Sequence, residues 1–480
     1  MTEPLKPDPN CPSCVSLARA LDELREVVEK LSSEVERLKA RKAPTSRTSS
    51  RPPSSDGPWV RKRERKKSSS RKQGGQPGQK PRGRELAPPE DVDKDQCVKP
   101  KACRSCSGPL SGDDPDPHRH QVIDIPPVVP QILEWQLHKL KCAICGTETR
   151  ARLPEGVHAS SFGPNLTALV CMLTGQYRMS RRNAQRFIAD TYKIDISVGA
   201  ISNMEGRMTE GLAAPHTEAM VSVANSATKH LDETSWRERG KGSWAWTAVG
   251  SEATVFVIRD TRGSVVAKEL IGEEPEGFVI TDRYSAYSFV SLEQRQVCLA
   301  HVIRDARRMS EGEKDLRWIG EQLLLIFDAI FRLWHLHRDE ALDRKTLVRW
   351  TRPLRERTFR LLDAGARSRG GDTPSKCRGI LETESALWTF LFEEGVEPTN
   401  NDAERALRAL VIHRKTSFGS QSARGSRFIE RIHTVKETLR RAGGSVHEFL
   451  LATAKNVLGG GRAPVLIPVV AETGQASSHS

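Results

Sequence analysis

The chain has 480 residues, 37% of them hydrophobic, and a formal net charge of +14 from 75 Lys and Arg against 61 Asp and Glu. That length implies about three units rather than one core. No apolar run reaches the length of a membrane span, and residues 1–4 do not open a signal peptide, so the expectation is a cytoplasmic protein with no membrane partner. In that compartment ten cysteines read as metal ligands or packed thiols, not disulfides.

Residues 1–15 form a tail with a lone Cys11-x-x-Cys14, too little for a site. Over residues 16–40, Leu17, Leu21, Leu24, Val28, Leu31, Val35 and Leu38 alternate spacings of four and three. That is the seam of a short coiled coil, which either dimerises the chain or docks on its own body. Residues 41–94 are rich in Ser, Pro, Gly, Lys and Arg without periodicity, the composition of an arm disordered when free. From Arg41 to Arg84, 15 Lys and Arg meet two acids, Asp56 and Glu64, so +13 of the +14 lies here. Such an arm is either a solvated linker or a contact to nucleic acid, with Arg61, Lys62, Arg63, Arg65, Lys66 and Lys67 at the phosphates.

Residues 95–150 carry two CxxC turns, Cys103/Cys106 and Cys142/Cys145. Each turn offers two thiolates on one side, which suits one structural, tetrahedral Zn²⁺ in a DNA-binding zinc ribbon. Strand-like pieces at 121–125 and 131–135 would bring the turns together. Residues 160–212 read as a helical subdomain. Ser180 caps one helix and Ser197 starts another, resembling a helix-turn-helix with Arg181 and Arg182 toward phosphates, or else an ordinary helical unit.

Residues 225–425 read as a catalytic domain. His230–Trp236, Trp244–Val249 and Thr254–Ile258 suit a three-stranded meander with Asp232 on its first strand. A helix at 265–270 and a buried strand ending in Asp282 follow. Strand, strand, strand, helix, strand is the order of a ribonuclease-H-like fold, whose first and fourth strands are neighbours. Asp232 and Asp282 then face one point and repel unless cations lie between them, which two Mg²⁺ ions, or Mn²⁺, resolve. A third acid fits best at Glu404, in the first turn of a helix that Asn400 or Asn401 can cap. Glu382, Glu384 and Glu393-Glu394 lie in or beside an apolar helix at 386–391, without a basic cluster. Arg405, Arg408, His413, Arg414 and Lys415 give the Glu404 helix a basic side. Residues 311–396 read as an all-helical insertion, and 426–480 as a C-terminal helical segment and tail. Cys298-x-x-His301 is half a metal site at most; a packed Cys and a hydrogen-bonding or DNA-contacting His301, followed by Arg304, is the preferred reading. Glu233 falls on the opposite strand face from Asp232, and Trp236 reads as core.

His230-Leu-Asp-Glu-Thr-Ser-Trp236, Thr281-Asp-Arg-Tyr-Ser-Ala-Tyr287, Cys298-Leu-Ala-His301 and Asn400-Asn-Asp-Ala-Glu-Arg-Ala-Leu-Arg408 resemble the signature blocks of the insertion-sequence sixty-six family of bacterial transposases. Arg51–Gly57, the basic run and Gly74–Gly78 resemble that family's leader. The resemblance implies that Asp232, Asp282 and Glu404 are the three metal-binding acids of a DDE transposase. It also implies DNA ends and target as substrate, possible small element-encoded helper proteins and a nucleoid-associated location. Synapsis of two ends would require at least a homodimer. Arg283 departs from the family, where many members have a small residue. A nuclease of the same fold without strand transfer, and a non-catalytic DNA-binding derivative, are the alternatives.

Overall fold

The structure is a computed structural model that describes residues 85–467 together with Leu24 and residues 26–31. Arg61 to Lys67, the rest of the arm as far as Arg84 and most of the heptad seam lie outside the described residues. Of the seam, residues 26–31 form helix α1, with Val28 and Leu31 exposed. The chain divides into two compact units, Pro58–Ile132 and the remainder. In Pro58–Ile132 the side chain of Gln121 holds both backbone groups of Ala87, at 2.8 and 2.9 Å. Residues 121–125 form no strand there, nor do 131–135, which run across the division between the units. Pro126, Pro127 and Pro130 remove ladder donors between these pieces, and Val122, Ile123 and Ile125 are exposed. The strands of this region come later, in the second unit, where β1 (Lys139–Lys141) pairs antiparallel with β2 (Glu148–Arg150).

The helical stretch starts where its caps predict. After α2 (Pro164–Cys171) comes α3 (Arg181–Tyr192), whose Ser180 hydroxyl accepts from Asn183 N at 3.1 Å. Ser197 caps α4 (Val198–Gly211) in the same way, accepting from Ala200 N at 3.1 Å. Val170, Ile188, Ile201 and Met204 close a small core between these helices. α5 (Ala213–Ala224) then leads to the sheet.

The meander is β3 (Thr228–Glu238), β4 (Lys241–Val249) and β5 (Thr254–Arg259). Arg239 and Gly240, both at positive φ, make the two-residue turn that matches strand twist. Helix α6 (Ser264–Ile271) crosses back to β6 (Phe278–Thr281), which pairs parallel with β3, and β7 (Arg295–Val297) pairs parallel with β6. The sheet order is β5-β4-β3-β6-β7. Gly277 admits the chain to β6 at φ +70°; a Cβ there would lie 2.2 Å from Ala227 O.

Past β7 the chain is helical: α7 (Leu299–Ser310), α8 (Arg317–Arg338), α9 (Arg344–Arg367), α10 (Thr373–Leu381) and short α11 (Thr389–Phe392). Val302, Phe327, Leu347, Leu362 and Phe390 form a second core that includes Ile280 and Val297 of the sheet. The helices that fill this core begin with α7 at Leu299. The apolar run 386–391 is not one helix. Gln296 of β7 donates to Leu387 O at 3.2 Å and accepts from Phe390 N at 2.9 Å, so the sheet takes the backbone groups a helix would use.

The chain ends with α12 (Asn401–Ser417), α13 (Ala423–Arg441) and α14 (Val446–Gly459). α13 lies along the free edge of β5. Its Glu430, Thr434 and Thr438 side chains accept from Ile258 N (2.6 Å), Phe256 N (3.0 Å) and Thr254 N (3.1 Å). The edge strand's donors are thus satisfied by a helix. Among the described residues no helix is long and apolar enough to cross a membrane.

Candidate active site

Strand register puts the first two acids side by side. His230 of β3 lies opposite Ile280 of parallel β6. Asp232 and Asp282 each lie two residues further on, so they share a face and a level. Asp232 is half-buried, and its Oδ1 accepts from Glu233 N at 2.9 Å. Burial first, then the charges of Glu233, Asp282 and Glu404, push its carboxyl well above the usual carboxylate range. Asp282 sits just past β6, with Oδ1 accepting from Tyr284 N at 2.8 Å. Beneath it, buried Arg295 donates to Asp282 O at 2.7 Å and to Thr281 Oγ1 at 3.0 Å. No Lys or Arg among the described residues forms an ion pair with Asp232 or Asp282.

Glu404 is delivered by a stitched corner. Cys298 N donates to Thr281 O at 2.8 Å, and Leu299 N to Pro398 O at 2.9 Å. The buried Cys298 thiol, pushed up to about 11 by burial, accepts from Asn400 N at 3.2 Å. Asn400 stands at the head of α12, but its side chain does not cap the helix. It reaches across to β3 instead, donating to Leu231 O at 2.6 Å and meeting His230 Nδ1 at 3.2 Å. One residue therefore ties the strand of the first acid to the helix of the third, a role that sequence alone reads as a cap.

Glu404 accepts from Arg304 Nη2 at 3.4 Å and lies 4.0 Å from His301 Nδ1, a buried atom with no hydrogen-bond partner. Arg304 also donates to His301 Nε2 at 3.0 Å. His301 and Arg304, read from the sequence as DNA contacts, are thus brought to the third acid. Among the described residues, Cys298, His301 and Glu404 have ligand atoms all within 4.8 Å of one another. The three acids are set more loosely than that.

On the other face of β3, Glu233 is held by Arg262, with Nε to Oε1 at 2.9 Å, and by the Tyr287 hydroxyl. Burial, then the charge of Asp282, raises its pKa, and Tyr287 and Arg262 oppose the rise. The Arg262 guanidinium lies 3.7 Å over the Tyr284 ring and 4.7 Å over Trp244. Half-buried Arg262 and buried Tyr287 keep Glu233 from Asp232's side, and Trp236 is core. No local pattern marks Arg262 as the partner of Glu233. Arg283 is ion-paired to Asp305, which Lys376 also meets.

Of the other predicted DNA contacts, Arg182, Arg408 and Lys415 are exposed. Arg405 is exposed and paired with Asp402, and Arg181 pairs with Glu205 at 2.8 Å. Arg408 and Lys415 follow Glu404 at four and eleven residues, on the same helical stripe. His413 does not belong to the basic side. It shares the apolar stripe of Ala403, Leu407 and Leu410 and is buried against His433. Arg414 turns back onto β3, donating to Thr234 Oγ1 at 3.2 Å and to Ser235 Oγ at 2.5 Å.

The two CxxC turns are built alike, each within its own unit. Cys103 N donates to Gly108 O at 2.8 Å and accepts through its carbonyl from Ser107 N at 2.9 Å. Cys142 repeats this with Thr147 O and Gly146 N, both at 2.9 Å. Ser107 and Gly146 occupy the same position at positive φ. A backbone hydrogen bond from Cys106 lowers the Cys103 thiol, and the Thr147 hydroxyl lowers Cys145 to about 7.

Comparison with known proteins gives two family matches. The model described as Transposase IS66 family matches residues 159–427, and one described as a family of unknown function, DUF6444, matches residues 6–85. The chain is also 23% identical over 379 residues to "Uncharacterized protein y4hP" of Sinorhizobium fredii (strain NBRC 101917 / NGR234), covering 70% of this chain and 67% of that protein.

Proposed function

The chain belongs to the IS66 family of transposases, and we propose that it cleaves and joins DNA at a ribonuclease-H-like centre built from Asp232, Asp282 and Glu404. A five-stranded sheet whose fourth strand runs parallel beside the first supports that fold. One observation carries the catalytic reading. Asp232 is half-buried, feels the charges of Glu233, Asp282 and Glu404, and has no ion-paired cation among the described residues. That uncompensated charge fits divalent metal, which Asp232, Asp282 and Glu404 would hold. Mg²⁺, or Mn²⁺ in its place, supplies when bound the Lewis acidity that activates water or a 3′-hydroxyl and stabilises the leaving oxygen.

The protein's own residues hold and steer. Asn400 and Cys298 fix the head of α12 against β3, so Glu404 is positioned by buried side chains. Arg304 and His301 restrain its carboxylate. Arg408 and Lys415 extend a cationic stripe from Glu404 along which a phosphate backbone can lie. The basic arm adds sequence-independent affinity, the helical subdomain and the two knuckles are the readers of element ends, and the heptad seam pairs two copies at synapsis. Helper proteins would act on that assembly.

The test is an in vitro joining assay with labelled element ends and Mg²⁺. Wild-type protein should yield joined product, and Asp232→Ala should lower it by at least about a thousandfold. Hydrolysed ends without joined product would make the protein a nuclease. Undiminished joining by Asp232→Ala would remove the catalytic assignment.

A further inference from the structure

Helix α9 holds eight Lys and Arg against two acids, Glu356 and Asp363, a net of +6 in 24 residues. Its apolar stripe, with Leu347, Leu361 and Leu362, already serves the insertion core. The solvent side mixes arginines with large rings. Phe359 is 50% exposed, and Phe392 of α11 is 49% exposed. Between α9 and residues 384–392 lies an open groove of about 710 Å³, lined among others by Arg352, Arg355, Phe359, Arg360, Trp388 and Phe392.

The groove's polar groups are unevenly satisfied. Glu356 accepts from Arg352 Nε at 3.0 Å, and Glu384 accepts the Trp388 indole N–H at 2.6 Å, so both carboxylates are engaged. Arg355 lies 5.1 Å over the Phe392 ring, and its Nε is buried with no hydrogen-bond partner. Arg360 forms no ion pair with any described residue. Unspent guanidinium donors beside open ring faces match a ligand that is anionic along a backbone and carries flat rings. A duplex offers its phosphates to such arginines but keeps its base faces stacked inside. The aromatics therefore single out unpaired nucleotides.

We propose that the groove between α9 and residues 384–392 binds unpaired nucleotides of a DNA strand, with bases against Phe359 and Phe392 and phosphates at Arg355 and Arg360. Its far wall is fixed to the sheet. Thr389 donates to Arg295 O at 2.6 Å, and Phe390 N donates to Gln296, both on β7 beside the strand that leads into Asp282. A strand held here is held by the framework that carries the second acid. The proposal rests on DNA as the substrate but not on the three-acid centre.

The test is fluorescence anisotropy with the full chain, no divalent metal added, on a labelled oligothymidylate and on a mixed-sequence duplex. Without metal, joining activity plays no part, so failure here and failure of the catalytic reading remain distinct. Phe359→Ala should weaken single-strand binding about tenfold while changing duplex binding by less than about twofold. Phe359→Tyr keeps a ring and should retain single-strand binding. Arg360→Gln should reduce the salt dependence by about one charge. Equal losses on both DNA forms, no loss on either, or failure of Phe359→Tyr to retain binding would overturn the proposal.

Discussion

His413 and His433 meet inside the protein, Nδ1 to Nε2 at 3.2 Å, with the Trp236 ring edge-on to His413 and Phe256 edge-on to His433. Burial lowers His413 to about 4 and His433 well below the ordinary imidazole value, and neighbouring cations add to both shifts. The unfolded chain then binds more protons than the folded one below about pH 6.5. The stability these neutral rings contribute is complete above that pH and is lost as pH falls toward the folded values. From pH 7 to pH 5 the stability read from urea unfolding should fall, by up to about 1.4 kcal/mol per pH unit for each imidazole. His413→Leu should flatten the fall, and an equally steep fall in that variant would assign the slope to other groups. Position 413 was legible as core from its spacing to Leu407 and Leu410, but its neighbours Arg414 and Lys415 drew it into the basic reading. Asn400 was legible as a helix start, whereas its bond to Leu231 spans 169 residues and leaves no local pattern.

Among the elements, the two CxxC turns show what spacing can and cannot tell. The cysteine spacing specified both turns, and each closes through the same two backbone bonds. The intervening strands were inferred from alternation alone, and proline placement defeats them. The purified chain is expected to carry about one structural zinc. Cys142→Ser should abolish it and expose residues 95–150 to protease. Those residues staying protected without zinc would refute the site. The meander and β6 were legible because β-branched runs between glycines have few other uses. The broken helix at 385–392 was not, because Gln296, about ninety positions earlier, decides it.

For the whole molecule, charge and core are separable. The sequence assigns nearly all the net charge to residues 41–84, and the described residues form their cores without them. Deleting 41–84 should leave thermal stability unchanged, weaken nonspecific duplex binding and flatten its dependence on salt. An unchanged slope would mean that the arm serves something other than DNA. Order along the chain was enough to place Asp232 beside Asp282, since strand, strand, strand, helix, strand makes the first and fourth strands neighbours. It did not show that the helical core would share Ile280 and Val297 with the sheet, because apolar strands read alike whichever core they fill.

The helix along β5 has a consequence for how this sequence can change length. Four residues of α13 advance about 6 Å, nearly the rise of two residues in a strand. That near-equality lets positions 430, 434 and 438 meet 258, 256 and 254 in turn. A substitution disturbs one of these meetings. A single inserted or deleted residue between Glu430 and Thr438 rotates every later side chain by about 100° and breaks the match from that point on. Over this stretch the chain should tolerate changes in its letters far better than changes in their count.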